Sequence, residues 1–324
     1  MTLLSAGERF WNRGNEMEVL VLGAAAGGGF PQWNCNCVNC RAFWDGDPAL
    51  QAQTQSSIAV SADGARFVLF NASPDLRQQI ERNPALHPKS GLRDSPIRAA
   101  VLTNGDVDHT AGLLNLRESQ PLALYATQRI QDVLAANTIF NVLNPKFVER
   151  RPFTLNQPVD LTEQDGTPLG LSLTVFPVPG KVALWLEDGS AENNFGTVDE
   201  DTVGVEITDG QGRKLFYIPG CARMTDELAE RLNGAAVVFF DGTLWTDDEM
   251  MVQSVGIKTG QRMGHMSISG PDGTLAAFDG LEVGRKVFIH LNNTNPVLRR
   301  DAAERAEVEA RGWTVAEDGM RLSL

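Results

Sequence analysis

Thr103-Asn104-Gly105-Asp106-Val107-Asp108-His109-Thr110-Ala111-Gly112 follows an apolar run at 97–102 that reads as a buried strand. Asn104, Asp106, Asp108 and His109 therefore share one loop at a strand's end. Such loops gather metal ligands and catalytic groups, because a rigid sheet fixes their starting points. Asp108 and His109 are the candidate ligands here, with Asp106 placed to join them or to orient one of them.

The rest of the chain alternates short apolar runs with turns and helical patterns. Segments 18–22, 57–60, 66–70 and 97–102 read as strands, with Asp63-Gly64 marking a hairpin turn between the second and third. Segments 75–82, 111–117 and 128–136 have helical spacing. After a middle rich in Pro and Gly, strands are expected at 203–208, 215–218, 237–240 and 287–291, and helices at 226–232 and 300–311. Hairpins mixed with crossover helices make this an α/β protein with mixed sheets. One domain is expected over 17–324, with 1–16 a peripheral arm or a mis-assigned start.

The chain has 324 residues, 42% hydrophobic and 21% charged, which is ordinary for a globular protein. Its formal net charge of −13 would repel a phosphate backbone, so nucleic acid is not an expected partner. No stretch approaches the roughly 20 apolar residues that span a bilayer. Glu8, Arg9, Arg13 and Glu16 break up any signal-peptide core, so no membrane insertion and a cytoplasmic location are expected.

Three of the four cysteines, Cys35, Cys37 and Cys40, fall within Asn34-Cys35-Asn36-Cys37-Val38-Asn39-Cys40. A tight turn can aim several thiolates at one zinc ion, so this reads as a structural zinc knuckle. A disulfide is disfavoured by so short a loop, and buried incidental thiols are the plainer alternative. The fourth ligand is left open among Cys221, Asn293, an Asp, a His and water. Just upstream, Gly23-Ala24-Ala25-Ala26-Gly27-Gly28-Gly29 lacks the Gly-x-Gly-x-x-Gly of a dinucleotide turn. Those glycines are expected to let backbone approach a neighbouring strand or site.

There are four histidines, His87, His109, His265 and His290. His87 sits in a Pro-flanked loop and is set aside. His290 ends an apolar run and opens the amide-rich Leu291-Asn292-Asn293-Thr294-Asn295-Pro296, a good place for a ligand that joins Asp108 and His109. His265 reads either as a general acid or base or as a hydrogen-bonded loop residue.

The loop at 104–109 resembles the His-x-His-x-Asp-His motif of the metallo-β-lactamase superfamily, with Asn104 and Asp106 standing where the first two histidines belong. More specifically, Ala25-Ala26-Gly27-Gly28-Gly29-Phe30-Pro31-Gln32-Trp33-Asn34-Cys35-Asn36-Cys37, the 103–113 loop, Tyr217-Ile218-Pro219-Gly220-Cys221 and Asn292-Asn293-Thr294-Asn295-Pro296 resemble the coenzyme PQQ synthesis protein B family. The resemblance implies a four-layer αββα sandwich. It also implies missing ligands: Phe176-Pro177-Val178-Pro179 lacks the superfamily's middle histidine, and Cys221 stands where a bridging aspartate belongs. A two-metal hydrolase must hold its ions about 3.5–4 Å apart. With several ligands lost, one ion is expected, on Asp108, His109 and His290.

Two histidines and one carboxylate match the ligand composition of non-heme Fe(II) oxygenases, although imidazole suits zinc as well. The resemblance implies a role in making pyrroloquinoline quinone (PQQ) from a precursor peptide whose Glu and Tyr are cross-linked. The expected activity is Fe(II)- and oxygen-dependent hydroxylation of the tyrosine-derived ring of that cross-linked Glu-Tyr compound or peptide. Asp106 and His265 are the expected proton-transfer groups, and Asn292, Asn293 and Asn295 are expected to orient substrate. The rival readings are a zinc hydrolase trimming the cross-linked peptide and a carrier for transport of PQQ or its precursor.

Overall fold

The computed structural model describes residues 16–182 and 200–324; most of the expected N-terminal arm, residues 1–15, lies outside them. In chain order the strands are β1 (Glu18–Gly23), β2 (Ser57–Ser61), β3 (Phe67–Phe70), β4 (Ile97–Val101), β5 (Leu122–Thr127), β6 (Val148–Phe153) and β7 (Pro158–Thr162). They continue as β8 (Pro168–Pro177), β9 (Val203–Asp209), β10 (Lys214–Ile218), β11 (Val237–Asp241), β12 (Arg285–Ile289), β13 (Trp313–Val315) and β14 (Arg321–Ser323). They form two seven-stranded sheets, ordered β14-β1-β2-β3-β4-β5-β6 and β13-β12-β11-β10-β9-β8-β7. Each sheet is mixed. β3 to β6 run parallel in the first and β10 to β13 in the second, while the remaining pairs are antiparallel.

Alternation along single strands explains the layering. On β1, Val19 and Val21 enter the core between the sheets, whereas Leu20 and Leu22 pack outward with Leu76, Ile130 and Leu134 of two helices. On β11, Val237 and Phe239 face the other sheet, whereas Val238 and Phe240 pack with Leu228, Leu232 and Val308. Both faces of each sheet are covered, which is why these strands read as unbroken apolar runs. The result is the expected αββα arrangement of the metallo-β-lactamase fold.

Local chemistry sets the helix starts. The hydroxyl of Thr127 accepts from Ile130 N to open the helix Gln128–Ala136, and Thr225 does the same for the helix Asp226–Leu232 with Leu228 N. At the β2–β3 hairpin Gly64 takes φ +67°, and Asp63 Oδ1 accepts from Ala65 N and Arg66 N.

The middle of the chain differs from expectation. The middle rich in Pro and Gly, to which the sequence assigns no element, carries β6, β7 and ten residues of β8, in which Gly170 sits at φ +73°. β6 hides its identity behind Glu149, Arg150 and Arg151; Arg151 turns its guanidinium back onto Tyr125 Oη at 2.7 Å and Thr162 Oγ1 at 2.6 Å. The helix expected at 111–117 is a 3-10 helix, Ala111–Leu116, and the one at 300–311 is shorter, Ala303–Ala310. Among the described residues no helix is long and apolar enough to cross a membrane.

Candidate metal centre

The parallel strands of both sheets point their carboxyl ends to one edge. β4 delivers the 104–109 loop, β10 delivers Cys221, β11 ends in Asp241, and β12 is followed at once by His290. His290 adopts φ +63°, which stops the strand two residues earlier than expected and turns the imidazole toward the first sheet's loop. Its Nε2 lies 3.2 Å from Asp108 Oδ2, and His109 Nε2 lies 3.8 Å from the same oxygen. Asp108, His109 and His290 thus bring one donor atom each within 4.8 Å of one another.

The imidazoles are held in the orientation a ligand needs. His109 Nδ1 donates to Asn104 Oδ1 at 2.8 Å, which leaves the Nε2 lone pair facing Asp108. Asn104 also accepts from Asp106 N at 3.0 Å, so the residue in the first-histidine position has become an orienting group. His290 Nδ1 donates to Thr243 Oγ1 at 2.9 Å, and Thr243 donates in turn to Asp241 Oδ1 at 2.6 Å. Glycine keeps the approach open: a Cβ on Gly27 would stand 3.3 Å from Asp108 Oδ2.

Burial alone would raise the Asp108 carboxyl. The neighbouring His109 and the hydrogen bond with His290 outweigh it and hold Asp108 below the ordinary carboxylate range. Burial pushes His109 down and opposes charge on His290 too, but Asp108 carries His290 upward. This centre therefore pairs a carboxylate with one imidazole that resists protonation. These are the states in which oxygen and nitrogen donate to a metal.

Asp241 is the residue that sequence reasoning missed. It is fully buried, accepts from Cys221 N at 2.9 Å, and accepts from His265 Nδ1 at 2.7 Å. Its only signal was a carboxylate closing the apolar run at 237–240. Asp241, His265 and His290 also bring donor atoms within 4.8 Å, and the two imidazoles stack at 5.1 Å between centroids. In this second group the facing nitrogens are engaged as hydrogen-bond donors, so Asp241 fits a supporting role behind the first group. Asp106 stands apart from both groups, with Oδ2 3.8 Å from Lys181 Nζ.

Cys35, Cys37 and Cys40 also converge within 4.8 Å. Cys37 caps the helix Val38–Trp44, and Cys40 is lowered to about 7, chiefly by its hydrogen bond with Cys37. Asn293 covers the sulfurs, its Nδ2 3.1 Å from Cys35 Sγ and 3.5 Å from the other two. Cys221 is not in this cluster; its thiol donates to Arg223 O, and burial pushes it up to about 12. Three amides expected at substrate are spent inside the protein. Asn292 donates to Thr294 Oγ1, Asn293 lies over the cysteines, and Asn295 donates to Gly242 O and caps Val297 N.

Residues 66–291 match the family model described as a beta-lactamase superfamily domain. The chain is 56% identical to coenzyme PQQ synthesis protein B of Xanthomonas oryzae pv. oryzae over 308 residues, covering 95% of this chain and all of that one. A solved Zn(2+)-bound PqqB from Methylobacterium extorquens, 54% identical, superposes with a TM-score of 0.90 over 95% of this chain and 100% of its own. A diphosphatase of the PhnP family shares only the fold: 19% identity, TM-score 0.67, and coverage of 95% and 97%. Identity over nearly the whole chain and the same arrangement of strands lead to one conclusion: the chain belongs to the coenzyme PQQ synthesis protein B family, on a metallo-β-lactamase fold.

Proposed function

We propose that the protein hydroxylates the tyrosine-derived ring of the cross-linked Glu-Tyr intermediate of PQQ biosynthesis, using Fe(II), molecular oxygen and an external two-electron reductant: one oxygen atom enters a ring C–H bond and the other leaves as water. The observation that carries this reading is the convergence of Asp108, His109 and His290, two imidazoles and one carboxylate with their donor atoms within 4.8 Å. That composition fits a single ion with open coordination positions. Bound iron supplies the oxygen chemistry that side chains lack.

The chain's own residues do the rest. Asn104 and Thr243 fix the imidazole orientations of His109 and His290. Asp241 holds His265 through Nδ1, leaving Nε2 of this half-buried ring as the position to hold or release a proton. Asp106, beside Lys181, is the second proton-transfer candidate. Cys35, Cys37 and Cys40 hold a structural zinc in the same proposal, with the zinc-bound relative as support.

That relative's zinc also favours a second reading, hydrolysis of the cross-linked peptide by metal-activated water. Incubating Fe(II)-loaded protein with the cross-linked compound and a reductant such as ascorbate, with and without oxygen, separates the two. Hydroxylation predicts a product heavier by oxygen only in the aerobic, iron-loaded sample. Cleavage that proceeds anaerobically with zinc would replace it.

A further inference from the structure

A cavity of about 540 Å³ opens beside the metal loop, between the end of β8, residues 179–182 and the helix Asp226–Leu232. Its size suits a dipeptide-sized ligand. It shares its wall with the proposed centre. Thr202 in the lining bridges to Asn104, and Lys181 reaches to 3.8 Å from Asp106 Oδ2. The Lys181 stem also lies 3.1 Å from where a Cβ on Gly264 would stand, one residue before His265.

The charges in the lining are unevenly satisfied. Arg231 is occupied: it donates to Asn156 Oδ1 at 2.8 Å, lies 3.6 Å from Glu206, and stacks over Phe176 at 4.5 Å. Asp201 is only half satisfied. It is 7% exposed, its Oδ1 accepts from Arg129 Nε at 3.1 Å, and its Oδ2 is buried with no hydrogen-bond partner. Leaving a buried carboxylate oxygen without a donor costs more than a neutral group would, so Oδ2 calls for a second donor beside the one that Arg129 gives to Oδ1. Arg223 has the opposite need: its guanidinium is exposed in the lining and makes no ion pair or hydrogen bond among the described residues.

We propose that this cavity binds an α-amino-acid zwitterion, with its ammonium at Asp201 Oδ2 and its carboxylates at Lys181 and Arg223. The inference deepens the proposed function and rests on it for the ligand's identity: a cross-linked Glu-Tyr compound carries both kinds of charge around the ring that must reach Asp108. The two signs also select. A polycarboxylate without an amine leaves Asp201 unpaired, and a polyamine without carboxylates meets Lys181 and Arg223.

The test is calorimetric titration of the full-length, Zn(II)-loaded protein without oxygen, because zinc has no redox chemistry and binding is then read apart from turnover. The probes are the cross-linked Glu-Tyr compound, its N-acetylated form and its methyl ester. N-acetylation and esterification should each weaken binding by about tenfold or more, the scale of one charge-assisted hydrogen bond. Asp201→Asn should weaken the free amine in the same way but leave the N-acetylated form unchanged. Arg223→Ala, at an exposed position, should remove most of the penalty for esterification. Because Asp201 also receives Arg129, the probe comparison on unaltered protein carries the test if D201N is unstable. No binding, equal binding of the amine and its N-acetylated form, or two variants that bind as wild type would overturn the proposal. The expected binding pattern without an oxygenated product under iron, oxygen and a reductant would sink the hydroxylation instead and leave the site standing.

Discussion

Asp108 and His290 are 182 positions apart in the chain, yet Asp108 Oδ2 and His290 Nε2 lie 3.2 Å apart. One comes off β4 of the first sheet and the other off β12 of the second, so the proposed centre exists only when both halves of the sandwich are assembled. Asp108→Ala and His290→Ala should each remove active-centre iron and abolish turnover. Circular dichroism and the melting temperature should stay near wild type, because the sheets do not depend on this pair for their apolar cores. Full turnover in Asp108→Ala would refute the role given to that carboxylate.

Asn104 acts through His109. With the acceptor gone in Asn104→Ala, nothing holds His109 Nδ1 protonated and Nε2 facing the centre. Loss of an orienting partner of this kind typically costs ten- to hundredfold in metal affinity. Competition titration should show that loss, and Asn104→Asp, which keeps an oxygen acceptor, should recover much of it. Unchanged affinity in Asn104→Ala would mean that packing alone orients the ring.

The cysteine cluster should behave as a stabilising site. Cys37→Ser should lower zinc content by about one ion per chain and reduce the melting temperature by several degrees, since metal bound only to the folded state adds its binding energy to folding. A secondary effect on the active centre is expected through one loop: Asn293 lies over the sulfurs, while its carbonyl accepts from Asn39 Nδ2 at 3.1 Å, three residues from His290. Elemental analysis beside a melting curve checks both. Wild-type zinc content would remove Cys37 from the ligand set.

Glu249 supplies a pH dependence that can be tested apart from the metal. Burial pushes its carboxyl up to about 7, although Thr294 and Trp245 N donate to it at 2.5 and 2.7 Å. An acid whose folded value is raised binds its proton more tightly when folded. Its stabilising contribution is therefore present below the unfolded value, about 4.5, and is lost as pH rises toward 7. At about 1.4 kcal/mol per unit the effect is on the order of 3 kcal/mol at most. Denaturant unfolding between pH 4.5 and 8 should show a downward trend for wild type relative to Glu249→Gln. Parallel curves for the two proteins would contradict it.

Much of this architecture could be read from the chain, for identifiable reasons. Strands covered on both faces, such as 97–102 and 237–240, announce themselves as apolar runs, and the helix Gln128–Ala136 was legible from Ile130, Val133 and Leu134. β6 to β8 were not, because polar residues on partly exposed faces and Gly170 interrupt the alternation. At the site, Asp108, His109 and His290 could be picked out from their loop and strand-end positions, and they do converge. Asp241 could not: one buried acid after a strand gives no hint that it will meet His265 and, through Thr243, His290. The amides of Asn293 and Asn295 misled for the complementary reason. A cluster of polar residues looks like a ligand surface until its hydrogen bonds prove to be internal.

The most direct measurement follows the source of the oxygen. Fe(II)-loaded protein with a reductant such as ascorbate would be given the cross-linked Glu-Tyr compound under isotopically labelled oxygen gas in ordinary water, and in parallel under ordinary gas in labelled water. The account predicts label in the ring from the gas, lost in His290→Ala. Ring label derived only from water, or an unaltered compound despite confirmed iron at the centre, would contradict it.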